Sequence, residues 1–241
     1  MKGFFKSSIG KKLIMSVTGC FLILFLTFHM CMNLVYVFSA EGYNMVCEFL
    51  GSNWYAVAGT LVLALGFVFH IVYASILTIQ NRRARGNDRY DNQTLPPGVE
   101  WSSKNMYILG AIVFLGLVLH FIQFWSKMMA VELFECTGAL PEGFKPTVAN
   151  AADISAVAAD GAAWIGFHFS KWYNVALYLL WFVAIWLHLN HGFWSMFQTI
   201  GASNSKWIPR LKTIGTVFST IVMGGFALVV LVAFFRNCCG A

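Results

Sequence analysis

Five long apolar segments, separated by polar stretches, dominate the chain. They are Leu13–Phe38, Trp54–Ile79, Met106–Met129, Trp172–Ile200 and Ile214–Phe235. Each is long enough to cross a bilayer core of about 30 Å as a helix, which takes roughly 20 residues. Helix is required there because lipid offers no hydrogen-bond partner to backbone N–H and C=O groups. The pattern predicts an all-α membrane protein, a bundle of five transmembrane helices in one domain covering residues 1–241.

The composition supports a lipid environment. Of the 241 residues, 59% are hydrophobic and 11% are charged, whereas soluble domains average about 25% charged residues. A single core of this size cannot hide so much apolar surface from water. The first segment is longer than the roughly 7–15 apolar residues of a signal peptide. We therefore expect it to remain as a helix of the mature protein.

Lysine and arginine predict the orientation of the five helices. Most of them fall on one side: Lys2, Lys6, Lys11, Lys12, Arg82, Arg83, Arg85, Arg89, Lys104, Lys206, Arg210 and Lys212. Because basic loops stay in the cytoplasm, the N-terminus is expected inside and the C-terminus outside. The formal charge of +6 then reflects topology and anionic lipid, and we expect no nucleic-acid partner.

The loops and cysteines provide no further candidate functional site. The longest loop, Ala130–Lys171, is expected on the external side, with room for a short surface helix. The six cysteines include no C-x-x-C or C-x-x-C-H motif, so neither a disulfide framework nor a c-type haem attachment is indicated. We interpret them as free, structural thiols.

Histidines inside the apolar segments are the main candidate functional residues. His29, His70, His120, His188 and His191 all lie there, although ionisable groups in a membrane are costly and usually functional. Counted along each helix, His29 and His120 fall in the outer half of the bilayer. His70 and His188 fall in the inner half. The alternative is that each is a neutral histidine hydrogen-bonded to a neighbouring helix.

Two imidazoles at one depth on facing helices are what a bis-histidine haem b requires. Nothing supplies the set of carboxylate or thiolate ligands of a zinc or di-iron site at these depths, which argues against such a site. Gly19 and Gly110 each precede a histidine, His29 or His120, by ten residues. A missing Cβ there lets a flat group or another helix approach closely.

Four stretches give the chain a resemblance to a known family. They are "SVTGCFLILFLTFHMCMN", "FVFHIVYASI", "FLGLVLHFIQFW" and "LHLNHGFWS". In order and spacing they resemble the cytochrome b membrane anchor of succinate dehydrogenase and fumarate reductase, in its single-chain form with five helices and two haems b. The resemblance covers nearly the whole chain, and it implies a multi-pass protein of the bacterial inner (cytoplasmic) membrane.

The resemblance assigns roles to the histidines. It implies that His29 and His120 are the axial iron ligands of the outer haem, and His70 and His188 those of the inner haem. On the fourth helix the family motif is His-x-x-x-Gly followed by an aromatic residue, which selects His188, because Gly192 follows it by four residues.

The same resemblance leaves other polar residues with weaker assignments. It makes Ser16, together with Thr18, a candidate contact for the inner haem propionates, although such hydroxyls often bond their own helix. We expect His191 to bond a propionate or a helix end, or simply to pack. His168, at the outer interface, is expected to be in water.

The resemblance also implies partners and a reaction. A flavoprotein subunit with FAD would hold the succinate or fumarate site, and an iron–sulfur subunit would pass electrons to this chain, which would exchange them with menaquinone. Glu48 is the candidate for quinone proton transfer, because quinone chemistry needs a titratable group near the outer face. Trp186 replaces a glutamate of some fumarate-reducing members, which puts transmembrane proton return in doubt. The direction of the reaction and the oligomeric state of the complex stay open.

Two alternatives remain at this point. One is a diheme cytochrome b that serves a hydrogenase or another respiratory dehydrogenase. The other is haem-free: a transporter with structural histidines, or a bare anchor. A transporter would favour helices interrupted by Gly or Pro, and no proline lies within the five predicted segments.

Overall fold

The computed structural model describes residues 7–51, 54–85, 101–138, 158–201 and 204–239, and every regular element in these ranges is helical. The long helices are α1 (Ser8–Phe38), α3 (Trp54–Arg85), α5 (Met106–His120), α8 (Trp172–Thr199) and α9 (Trp207–Cys239). The shorter ones are α2 (Ala40–Gly51), α4 (Trp101–Lys104), α6 (Met129–Thr137) and α7 (Gly161–Phe169).

Among the described residues, five helices are long and apolar enough to cross a membrane, as expected. Their spanning parts are Ile9–Phe38, Val57–Ala84, Met106–Trp125, Trp172–Thr199 and Trp207–Cys238. Large apolar side chains point away from the protein along them, as on α3, where Leu65 is 70% exposed. Such exposure is stable only when the surrounding solvent is lipid. The chain is therefore a multi-pass membrane protein.

The third span ends earlier than expected. A π-helical turn, Phe121–Trp125, follows α5 directly. Ser126 N–H donates to the Phe121 carbonyl at 2.8 Å, and Lys127 N–H turns back to the Phe124 carbonyl at 3.0 Å. The helix expected to continue to Met129 therefore stops at Trp125, and α6 begins separately. Apolar periodicity cannot reveal this change, because a π-turn alters hydrogen bonding without altering composition.

The fifth span begins seven residues earlier than expected, at Trp207 rather than at Ile214. The Asn204 side chain accepts a hydrogen bond from Trp207 N–H at 2.8 Å, which is the function of a helix N-cap. Pro209 lies in the first turn, where its missing N–H costs no hydrogen bond. It therefore does not interrupt the helix in the way that a transporter site would require.

The loop expected between the third and fourth spans contains helices, although α7 is not on the surface. Its Trp164 is 1% exposed and its Ile165 is 3% exposed. Asp160 caps α7 by accepting from Ala163 N–H at 3.0 Å, and Asn44 of α2 donates to the same carboxylate at 2.8 Å. The α2 helix, which apolar patterning did not predict, thus packs on α7.

By compactness the chain divides into two units, each assembled from three segments. Unit 1 comprises residues 1–25, 63–113 and 184–220, and unit 2 comprises residues 26–62, 114–183 and 221–241. Several long helices contribute residues to both. The expectation of a single domain stays a prediction, as does the orientation of the termini.

Candidate functional site

Unit 2 brings His29 and His120 together. His29 lies on α1 and His120 is the last residue of α5, and their ring centroids are 5.9 Å apart with an angle of 79° between the rings. Two metal–imidazole bonds of about 2 Å each, plus roughly 1 Å from each nitrogen to its ring centre, place two axial imidazoles about 6 Å apart. The observed separation therefore fits one iron between the rings.

Aromatic side chains surround this pair. Phe226 lies 5.6 Å from the His29 ring, and the rings of Phe124 and Trp181 lie 5.3 Å and 6.0 Å from His120. Gly116, one turn before His120, lies directly against the indole of Trp181 with no room for a Cβ. The flat apolar walls suit a porphyrin, because its faces need apolar contacts rather than hydrogen bonds.

A short polar chain leads away from His29. The Asn33 amide donates to the His29 carbonyl at 2.8 Å and lies 3.4 Å from its Nδ1. Tyr43 of α2 donates its hydroxyl proton to Asn33 Oδ1 at 3.2 Å. Burial raises the pKa of Tyr43 well above its usual value, so its hydroxyl stays protonated and remains a donor.

Unit 1 contains the second pair, His70 on α3 and His188 on α8. The two are close enough to interact electrostatically. Thr18 Oγ1 of α1 lies 3.0 Å from Nδ1 of His70. The two glycines noted in the sequence face these rings: a Cβ on Gly19 would lie 3.9 Å from Cε1 of His70, and one on Gly110 would lie 3.4 Å from Cε1 of His188. Each glycine thus faces a histidine of unit 1 rather than the histidine ten residues after it.

Buried ring nitrogens offer a further test of whether these residues fit a haem. Nδ1 of His120 and Nδ1 of His188 are buried and have no hydrogen-bond partner among the described residues. A buried polar atom without a partner calls for an explanation, and an absent ligand is one. Within the described ranges no three His, Cys, Asp or Glu side chains cluster to hold a bare metal ion. The donor set of each pair, two imidazoles, is the set that a haem iron takes.

His168 differs from expectation, because it is 9% exposed instead of lying in water. Its ring lies 5.0 Å from Phe124 and stacks near Trp164 at 6.1 Å. Its Nε2 has no partner among the described residues, so the bond to the Gln123 backbone comes from Nδ1. The sequence placed His168 at the outer interface without showing that α7 is packed inward.

The π-turn explains why the Gln123 carbonyl is available to His168. In an α-helix it would accept from Lys127 N–H, which instead donates to Phe124. The Gln123 side chain continues the network: its amide donates to Asn174 at 3.2 Å and accepts from the Tyr178 hydroxyl at 2.9 Å. Sequence reasoning missed these three residues. The sequence could have indicated them, because a polar side chain in or beside an apolar span needs a hydrogen-bond partner.

Electrostatics keep His168 neutral. Burial lowers its pKa, and the cations Lys171 and Lys127 lower it further, against the opposing effect of the hydrogen bond to Gln123.

Three of the four remaining residues have local partners. Ser16 is buried and donates to the Lys12 carbonyl at 3.1 Å, the alternative to a propionate contact. His191 packs edge-on against Trp194 at 4.9 Å. Trp186 donates its indole N–H to Thr220 at 3.0 Å. Glu48 is an exposed residue of α2, and its part in proton transfer stays a prediction.

No protein-family model, curated protein or solved structure matches this chain. The resemblance noted in the sequence therefore remains a hypothesis, and the geometry of the two histidine pairs has to support any function by itself.

Proposed function

We propose that this chain is the cytochrome b membrane anchor of a succinate:quinone oxidoreductase, the class that includes succinate dehydrogenase and quinol:fumarate reductase. It holds two haems b. His29 and His120 ligate one iron, and His70 and His188 ligate the other. Electrons pass between an iron–sulfur partner subunit and menaquinone, while a FAD-bearing flavoprotein subunit carries the succinate or fumarate site. The complex lies in the bacterial cytoplasmic membrane.

The observation that carries this proposal is the distribution of the histidines between the two units. Each unit contains one pair drawn from two different spanning helices, and the pair in unit 2 has the 5.9 Å ring separation that one iron fits. A packing role explains one buried histidine easily. It does not explain why four histidines form two pairs, each drawn from two spanning helices and each within one unit.

The side chains of this protein have distinct tasks in that mechanism. When bound, a haem b supplies a carrier of single electrons. Phe226, Phe124 and Trp181 exclude water from the pair in unit 2, which lowers the local dielectric and so affects the reduction potential. Asn33 and Tyr43 hold the helical turn after His29, which restricts the orientation of its ring.

A diheme cytochrome b of a hydrogenase or another dehydrogenase would use the same ligand pairs. Copurification of the intact complex from native membranes separates the two possibilities. A flavoprotein and an iron–sulfur protein with succinate dehydrogenase activity support the proposal. A hydrogenase or formate dehydrogenase would replace it.

Haem content tests the proposal directly. The full chain, made with ample haem, is purified, and its dithionite-reduced minus oxidised spectrum is recorded together with a pyridine haemochrome assay. We expect two haems b per polypeptide. His29→Ala and His188→Ala should each lose one of them, because a single imidazole holds the iron far more weakly than two.

His191→Ala is the matched control, since it removes a histidine from the same helix as His188 and should retain both haems. A well-folded wild-type chain without haem would overturn the proposal. The transporter and the haem-free anchor would then be the leading interpretations.

A further inference from the structure

Thr18 of α1 makes a side-chain polar contact to His70 of α3, one of the four paired histidines. Its hydroxyl oxygen lies 3.0 Å from Nδ1 of His70, 3.0 Å from the Ile14 carbonyl and 3.1 Å from the Met15 carbonyl. A hydroxyl has one proton to donate and two lone pairs. The proton can therefore satisfy only one of these three neighbours.

The two possible arrangements differ in the number of hydrogen bonds that they form. If the hydroxyl donates to a backbone carbonyl of its own helix, Nδ1–H of His70 can donate to the hydroxyl oxygen, and two bonds form. If the hydroxyl donates to Nδ1, only that bond forms, and the ring proton sits on Nε2. No hydrogen bond reaches Nε2 within the described part of the chain. Because an unmade hydrogen bond is costly in a membrane, the first arrangement is favoured.

The neighbouring residue fixes the ring from a second side. Gly19 follows Thr18 on α1, and a Cβ there would lie in ordinary contact, 3.9 Å from Cε1 of His70. The dipeptide Thr18–Gly19 thus presents an acceptor to Nδ1 and an open surface beside the ring edge. Both features restrict how the imidazole can rotate.

We propose that Thr18 is a positioning residue that holds His70 in its Nδ1–H tautomer, with the Nε2 lone pair directed to a haem iron. This inference rests on the proposed function for the identity of the metal group. The Nδ1–H···O bond also makes the imidazole a more basic ligand, so it stabilises the ferric over the ferrous state at that site.

The test compares Thr18→Val, which removes the hydroxyl at similar volume, with Thr18→Ser, which keeps it. Potentiometric titration of the full chain gives the two haem midpoint potentials, and haem retention on dilution gives relative affinities. We expect Thr18→Val to weaken haem binding at one site by about 10–100-fold. Its midpoint potential should rise while the other stays constant. Thr18→Ser should restore both values.

Thr213→Val is the matched control, because the Thr213 hydroxyl donates to the Pro209 carbonyl at 3.1 Å and forms no hydrogen bond with a histidine among the described residues. It should leave both potentials unchanged. Wild-type potentials and haem retention in Thr18→Val would overturn the assignment while leaving the proposed function intact.

A measurement on the wild-type chain decides the tautomer without any variant. Nitrogen-15 NMR of the full chain prepared without haem, with His70 assigned by its loss in His70→Ala, reports which ring nitrogen carries the proton. A proton on Nδ1 supports the assignment, and a proton on Nε2 contradicts it. Absence of haem from the wild-type protein would instead refute the proposed function, and this measurement would still decide the hydrogen bond.

Discussion

Gly116 is the position where one added methyl group should report most clearly on the unit 2 histidine pair. It lies one turn before His120 on α5, and a Cβ built there would overlap the indole of Trp181. The same indole packs against the His120 ring at 6.0 Å. The indole is a rigid, half-buried ring rather than the end of a flexible side chain, so Gly116→Ala has to displace Trp181, the helix or both.

Two opposing contributions set the expected size of the effect. Replacing a helical glycine by alanine stabilises a helix by roughly 0.5–1 kcal/mol, while overpacking a filled interior costs typically about 1–3 kcal/mol. The overlap with a rigid ring places this case toward the costly end, so we expect a net destabilisation of about 1–2 kcal/mol. Under the proposed function, the haem assigned to His29 and His120 should be perturbed, and the one assigned to His70 and His188 should not.

The assay combines reversible unfolding in mixed detergent micelles with the reduced minus oxidised spectrum. Gly224→Ala is the matched control, since a Cβ there meets no atom within 4 Å among the described residues, and it should be neutral or stabilising. If Gly116→Ala were as stable as Gly224→Ala and retained two unaltered haem spectra, the close packing of Trp181 over α5 would be wrong.

Three further predictions concern the regions outside the histidine pairs. Arg236 donates to two carbonyls at the end of α1, at 2.9 Å and 2.8 Å; Arg236→Met should cost about 1.5–3 kcal/mol in unfolding experiments, with only partial rescue by lysine, which lacks the planar fork. Loss of the α7 cap in Asp160→Ala should cost about 0.5–2 kcal/mol, visible as a lower melting temperature, whereas Asp160→Asn should cost less. Burial lowers the folded-state pKa of His168 below its ordinary value of 6.5. The contribution of this residue to the free energy of unfolding is therefore complete above pH 6.5 and is lost as the pH falls through the folded pKa. His168→Gln should flatten this part of the stability–pH curve, and an unchanged curve would contradict the burial of His168.

The proposed function and the tautomer of His70 can fail separately. A haem-free wild-type chain would leave the structure without an electron carrier, and the bond between Thr18 and His70 would then be a packing interaction between α1 and α3. Haem binding without an effect of Thr18 would leave the four ligands in place. It would show that the helices alone position His70.

The amino-acid sequence by itself determined the five spans and the choice of candidate histidines. A helix that crosses lipid needs a minimum number of consecutive apolar residues, and these can be counted directly in the sequence. Counting along helices of fixed rise paired His29 with His120 and His70 with His188, and the two members of each pair lie in the same unit. The end of the third span and the start of the fifth were wrong, because a π-turn and an N-cap asparagine leave no mark on apolar periodicity.

Only the tertiary structure decided what surrounds the paired rings. The sequence shows that Thr18 is a hydroxyl within an apolar helix, but its distance to Nδ1 of His70 depends on how α1 and α3 pack. The burial of His168 depends in the same way on α7 turning inward under an aspartate cap shared with α2. Composition and spacing describe the order of residues along the chain and therefore predict single helices. Hydrogen bonds between helices depend on crossing angles and rotations, which many side chains set together.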